Sequence, residues 1–191
     1  RSSFIIKLDE KYKDPFNTLK INYDRYLDNQ KIKTKSYLKN FSYKKSWTKE
    51  STIKQISKYI KNSNKKKSYI GICHGCRFGN EVLWFKKNLN TKNIIGTDIE
   101  PEASKYNDVI TWDFHKTKKE WINKFDFVYT NSHDHALYPK KAISNWVSSL
   151  NKDGLLFLEH SRSHGKLYSD SIDVTAIETE ILPFAILDLS I

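Results

Sequence analysis

The sequence predicts an α/β fold: a doubly wound, mostly parallel sheet preceded by a basic, mainly helical N-terminal extension. Three observations carry this expectation. From residue 68 onward, five short apolar runs alternate with segments of helical character. The runs are flat rather than alternating apolar and polar, as strands buried on both faces are. Their order is βαβαβαβαβ, which right-handed crossovers turn into a parallel sheet.

In chain order, Pro15 marks a boundary within the extension, and Phe4-Ile5-Ile6 reads as a short strand. Tyr23, Tyr26 and Leu27 have helical spacing, as do Ile53, Ile56, Tyr59 and Ile60 after Ser51, with Lys54, Lys58 and Lys61 on the water-facing side. Asn62-Ser63-Asn64 and Lys65-Lys66-Lys67 break the pattern before Tyr69-Ile70-Gly71-Ile72-Cys73, the first strand. A helix over Asn80–Leu89 follows, then a strand at Asn93–Thr97, a turn led by Pro101, and a strand at Val109–Trp112. Helix Lys116–Trp121, strand Phe125–Tyr129, helix Lys140–Leu150 and strand Gly154–Leu158 complete the series, with Asp153-Gly154 expected as the stop of the preceding helix. Beyond it, Asp173–Ile181 is expected as a helix, and Phe184–Leu189 as its continuation or one strand.

Charge divides the chain. Residues 1–67 carry 19 Lys and Arg against 6 Asp and Glu, while residues 68–191 are near neutral at −2. This predicts an extension over 1–50 and a domain over 51–191, with residue 65 as the other candidate edge. Lys31-Ile32-Lys33-Thr34-Lys35 and Lys65-Lys66-Lys67 can meet phosphates, so nucleic acid or another anionic partner is a possibility, as is a solvated face. Two cysteines three positions apart cannot staple distant parts of the chain, and no apolar run reaches the roughly 18 residues of a membrane span. The chain reads as soluble and cytoplasmic. It starts at Arg1 and has no Met, which suggests that a start lies outside it.

In an open parallel sheet, ligands bind beyond the carboxyl ends of the strands, where strand order reverses. The residues just after each apolar run are therefore the candidate site. The first is a glycine-containing turn, Cys73-His74-Gly75-Cys76-Arg77-Phe78-Gly79, opening a helix. Asp98 ends the second strand, at the distance expected of a carboxylate that accepts both hydroxyls of a ribose. Asp113-Phe114-His115 follows the third strand and suits an adenine's amino group and face. Asn131-Ser132-His133-Asp134-His135 follows the fourth, where the chemistry is expected. Bulky Arg77 in the middle of the glycine turn disfavours a dinucleotide, whose pyrophosphate needs bare backbone there. A guanidinium at this turn can instead pair with a carboxylate, or cap turn carbonyls.

The motifs Gly75-x-Arg77-x-Gly79-x-Glu81-Val82, Ile95-Gly96-Thr97-Asp98-Ile99, Asp113-Phe114-His115, Phe125-Asp126-Phe127-Val128, Asn131-Ser132-x-Asp134-His135-Ala136 and Asp153-Gly154 resemble those of class I S-adenosylmethionine-dependent methyltransferases. The likeness is to the subgroup with an Arg in the first glycine motif and an Asp-His pair after the fourth strand, and covers roughly residues 68–160. It implies a Rossmann-like sheet with S-adenosylmethionine as cofactor. It further implies that Gly75, Arg77 and Gly79 line the cofactor, that Asp98 with Ile99 holds the ribose, and that Asp113 and Phe114 border adenine. Asn131 and Ser132 are then close to the transferred methyl. The acidic residue usual at the start of the glycine motif is replaced by Gly71 and Cys73, and the family's C-terminal antiparallel hairpin is expected to be incomplete.

His135 and His133 are the candidate general bases, with Asp134 the carboxylate expected to raise an imidazole pKa. Glu159 and His160 end the fifth strand on the same rim. The histidine spacing, including His160-x-x-x-His164, fits no closed zinc pattern, so no metal is expected. Two other classes compete. Cys73-His74-Gly75-Cys76 between a strand and a helix is a possible dithiol redox pair. A non-catalytic module that binds cofactor or RNA through the basic extension is the other.

Overall fold

The computed structural model describes residues 15–42, 45–162 and 173–189; the expected Phe4-Ile5-Ile6 strand and His164 lie outside them. Strands β2 (Gly71–His74), β3 (Ile94–Asp98), β4 (Val109–Thr111), β5 (Phe125–Thr130) and β6 (Leu150–Leu158) form one sheet in the order β4-β3-β2-β5-β6. All four pairings are parallel. Chain order reverses at β2, which lies between β3 and β5. The doubly wound architecture expected from the apolar runs is therefore present.

Alternation across the pleat explains why those runs are flat. Cys73, Phe127 and Tyr129 face one core, filled by Ile53 and Ile60 of α2 (Glu50–Ser63) and by Val82, Phe85 and Leu89 of α3 (Asn80–Leu89). Ile72 and Val128 face the other, filled by Ala142, Ile143 and Trp146 of α4 (Pro139–Ser149) and by Leu182 and Ala185 of α5 (Leu182–Leu189). A strand covered on both sides can place apolar residues at every position. Gly71 pairs in register with Phe127, and a Cβ there would lie 2.2 Å from the Phe127 ring. Close packing, and no ligand contact, accounts for glycine at this position.

The extension contributes α1 (Tyr23–Asn40), whose N-cap Asn22 accepts hydrogen bonds from the N–H groups of Asp24 and Arg25 at 2.8 and 3.4 Å. Its buried stripe, Tyr26, Gln30, Thr34, Tyr37 and Leu38, runs at helical spacing but includes two polar residues, Gln30 and Thr34. Short strands β1 (Asn17–Thr18) and β7 (Thr175–Ala176) pair antiparallel as a separate ribbon.

Three elements differ from expectation. Lys116–Trp121 forms only a 3₁₀ turn at Lys119–Trp121, because Trp121 is its sole buried apolar anchor and nothing holds a longer helix to the sheet. Asp153-Gly154 does not stop α4. That helix ends at Ser149, and the pair lies inside β6 beside an irregularity in its register with β5 between Phe125 and Phe127. Within Asp173–Ile181, Thr175 and Ala176 pair with β1 instead of forming a helix, and Thr175 Oγ1 donates to the Ala136 carbonyl at 2.6 Å. Among the described residues no antiparallel hairpin joins the edge of the main sheet. None of their helices is long and apolar enough to cross a membrane.

Candidate functional site

The carboxyl ends of β2, β3, β4 and β5 open into a cleft at the point of strand-order reversal. Its floor begins with the turn after β2. Gly75 and Cys76 both donate their N–H groups to the Thr97 carbonyl, at 2.8 and 3.1 Å, tying the turn to β3. Gly75 has φ +69°, and an added Cβ would lie 2.6 Å from Ser132 Cβ, so glycine keeps the turns after β2 and β5 in direct contact. Ser132 Oγ donates to the Gly75 carbonyl at 3.2 Å, and the Ser132 N–H donates to Thr130 Oγ1 at 2.9 Å.

Asp98 ends β3, buried, its Oδ2 accepting the Arg77 N–H at 3.0 Å and its Oδ1 the Glu100 N–H at 3.1 Å. Burial raises its pKa, against these N–H donors, the Arg77 charge and a hydrogen bond from Thr34, which oppose the rise. The Arg77 guanidinium lies 4.3 Å over the Tyr37 ring of α1. Asp113, after β4, accepts from Tyr23 Oη at 2.6 Å and from the ring of buried His115 at 2.9 Å. Burial works to raise the Asp113 pKa, but the hydrogen bonds from His115 and Tyr23 outweigh it and hold the carboxyl well below its ordinary range. His115 Nε2 faces the Tyr138 N–H at 3.3 Å, so His115 locks α1, the β4 turn and the start of α4 together.

Of the residues expected from the sequence, the structure brings Gly75, Arg77, Asp98, Ile99, Asp113, Phe114, Ser132 and His135 to the wall of this one cleft. Asn131 lines an adjoining cleft, which shares Gly75 and Arg77 and also includes Trp47 and Glu81. Gly79 sits at the N-cap of α3 against Val109 and Asn107, outside both linings. His133 and Asp134 are buried residues of the turn that carries His135, with His133 Nε2 2.8 Å from His160 Nδ1. The carboxylate that meets His135 is Asp173, 3.1 Å from its Nδ1. Tyr26, Gln30, Lys33 and Thr34 of α1 and Trp112 complete the wall. Their helical spacing is visible in the sequence, but a stripe containing Gln, Lys and Thr does not announce burial.

Asp134, His135 and Asp173 bring one potential ligand atom each within 4.8 Å of one another. The Lys33 ammonium, 3.1 Å from Asp173 Oδ1, already supplies positive charge at that carboxylate.

Cys73 and Cys76 are free and buried, and burial pushes both thiols well above their ordinary range. A redox pair needs an accessible thiolate. Neither thiol is expected to react with a thiol-exchange dye until denaturant is added; rapid labelling of the native chain would restore the redox reading.

Glu81, in the first turn of α3, is buried, and burial pushes its carboxyl up to about 7, against partial opposition from its own N–H and Arg77. The folded chain thus holds a proton that the unfolded chain releases near 4.5, and stability present below that pH is lost as pH rises through 7. Glu81→Gln is expected to stabilise the fold by about 3 kcal/mol near pH 8 and by little near pH 4. Urea unfolding at the two pH values checks this, and equal effects at both would contradict it.

No protein-family model and no curated protein matches the sequence. Solved structures do match in three dimensions. The 1,6-didemethyltoxoflavin-N1-methyltransferase of Burkholderia thailandensis, crystallised with S-adenosylhomocysteine, superposes with a TM-score of 0.65 at 13% identity, over 91% of this chain and 83% of its own. The [4+2]-cyclase SpnF gives 0.58 at 14% identity, over 78% of this chain and 60% of its own. CalS10, a SAM-bound aminopentose methyltransferase of Micromonospora echinaspora, gives 0.52 at 16% identity, over 61% and 52%. The chain thus spans less than two thirds of the latter two proteins. What the likeness establishes is architecture: this chain has the Rossmann-like fold that the two methyltransferases and the cyclase share.

Proposed function

We propose that the chain is an S-adenosylmethionine-dependent methyltransferase of the class I type, with its cofactor in the cleft at the reversal of strand order. The observation that carries this is the convergence of eight residues, from the ends of four strands, on one cavity roofed by α1. The cavity fits the adenosyl group on its own chemistry. A buried carboxylate, Asp98, stands next to Ile99, with Phe114 and Trp112 on the same wall, and Gly75 holds the turn after β2 against Ser132 at the cleft floor.

In this reading Asp98 accepts the ribose hydroxyls, Ile99, Asp113 and Phe114 border adenine, and Gly75 and Gly79 shape the loop. Arg77 pairs with the amino-acid carboxylate, and Asn131 and Ser132 flank the sulfur end. The cofactor supplies an electrophilic methyl group on a sulfonium. The chain has to align a nucleophile with it and accept one proton, and alignment alone contributes several kcal/mol. His135, on the cleft wall, is the proton acceptor; buried His133 and Asp134 order the turn that carries it.

The acceptor is proposed only by class. Lys39 of α1 and Lys54, Lys58 and Lys61 of α2 are exposed, and this favours an anionic macromolecule, with RNA first in line. The fold also hosts other chemistry, as the cyclase among its neighbours shows. Turnover is thus the discriminating test. Incubation with methyl-labelled S-adenosylmethionine and pools of RNA, protein and small metabolites is expected to move label into one pool, with S-adenosylhomocysteine formed in equal amount. Saturable binding with no label transferred to any pool would favour a non-catalytic binding module.

A further inference from the structure

Lys33 of α1, His135 after β5 and Asp173 before β7 come from three distant stretches of chain and meet at the wall of the cleft. Asp173 Oδ1 lies 3.1 Å from His135 Nδ1 and 3.1 Å from Lys33 Nζ. Lys33 Nζ is also 3.3 Å from each imidazole nitrogen. An ionised carboxylate can only accept, so the ring hydrogen belongs on Nδ1 and the lone pair of the neutral ring on Nε2. Lys33 Nζ, equidistant from the two ring nitrogens, stands off the in-plane direction of that lone pair and acts as a positive charge beside the ring, with Asp173 as its acceptor. Because Asp173 is its counter-ion, Lys33 is paired without drawing on Nε2.

We infer that Asp173 and Lys33 are positioning residues that hold His135 as the neutral Nδ1–H imidazole, with Nε2 reserved as the proton acceptor for the nucleophile that takes the methyl group. This use of the ring rests on the methyltransferase reading; the arrangement of the three side chains does not. As the acceptor's heteroatom bonds to the methyl carbon, its proton passes to His135 Nε2, and the electron pair of the broken carbon–sulfur bond stays on sulfur. The resulting imidazolium lies between the Asp173 carboxylate, which stabilises it, and the Lys33 ammonium, which opposes it. That opposition returns the proton to solvent and resets the ring. Arg77, Asp98 and Asp113 line the same cleft and Asp134 sits on the same turn as His135; all four stay constant in the comparison below.

The test uses the full chain labelled with ¹⁵N-histidine, the His135 ring signals being assigned by their loss in His135→Gln. Long-range proton–nitrogen spectra recorded across a pH series report tautomer and midpoint without needing cofactor or acceptor. In the unmodified chain the neutral His135 ring is expected as the Nδ1–H tautomer. Asp173→Asn is expected to lower its midpoint by about one pH unit, and Lys33→Met to raise it by about one. A predominant Nε2–H tautomer, or midpoints unmoved in both variants, would overturn the inference. A purely structural role for either residue moves melting temperature and leaves these opposite shifts absent. Calorimetry with S-adenosylhomocysteine on the unmodified chain separates the two levels: opposite midpoint shifts with no binding would keep the triad and remove its use in methyl transfer.

Discussion

Asp98→Asn is expected to weaken S-adenosylmethionine binding by roughly 10- to 100-fold, the range for losing a charge-assisted hydrogen-bonding partner. The carboxylate sits at the end of β3, beside the reversal of strand order, and each of its oxygens already accepts a backbone N–H, from Arg77 at 3.0 Å and Glu100 at 3.1 Å. A carboxylate has further lone pairs, which the two ribose hydroxyls would take. Asparagine keeps one acceptor oxygen but turns an NH₂ toward one of those N–H donors and removes the charge. A buried donor left unsatisfied costs about 1–3 kcal/mol, so the variant should also melt earlier. Binding is therefore to be compared at a temperature where circular dichroism shows both chains folded. A folded Asp98→Asn chain that binds as tightly as the original would displace the ribose from this residue.

Gly75→Ala is expected to destabilise the fold by about 2–4 kcal/mol and to abolish measurable cofactor binding, combining left-handed backbone strain with local overpacking. At φ +69° an L side chain is strained whatever the space around it, and here the new Cβ would stand 2.6 Å from Ser132 Cβ and 2.7 Å from its Oγ. Relief requires Ser132 to give up its hydrogen bond to the Gly75 carbonyl, or the turn to leave the Thr97 carbonyl that holds it. Both movements deform the cleft floor. Urea unfolding and calorimetry check the two effects, and an unchanged midpoint together with unchanged binding would mean that the contact between the β2 and β5 turns is not constrained.

How much of this was legible in the sequence depends on whether local chemistry or long-range contact decides the feature. The five strands were readable because burial on both faces leaves an unbroken apolar run, as in Phe125–Thr130, whose residues are all buried. Helix Asn80–Leu89 was equally clear. The strand ends then point to the cleft, since a parallel sheet gathers its loops at one edge. What was not legible arises from contacts between distant segments. The polar stripe of Gln30, Lys33 and Thr34 is withdrawn from water, Gln30 and Thr34 almost fully and Lys33 in part, because α1 closes over the cleft. Asp173 meets His135 across 38 residues of chain, a separation no spacing rule encodes, and its neighbour Asp134 was the natural but different expectation. The short ribbon of Asn17–Thr18 with Thr175–Ala176 likewise joins segments far apart in the chain, where helical propensity at Asp173–Ile181 yields to pairing.

The central claim is that the cleft between the ends of β2, β3, β4 and β5 binds S-adenosylmethionine. Calorimetric titration of the purified chain with S-adenosylmethionine, S-adenosylhomocysteine and NAD tests it most directly. Saturable micromolar binding of the first two, with no heat from NAD, is the predicted result. A folded chain that binds neither, or that binds NAD in their place, would contradict it.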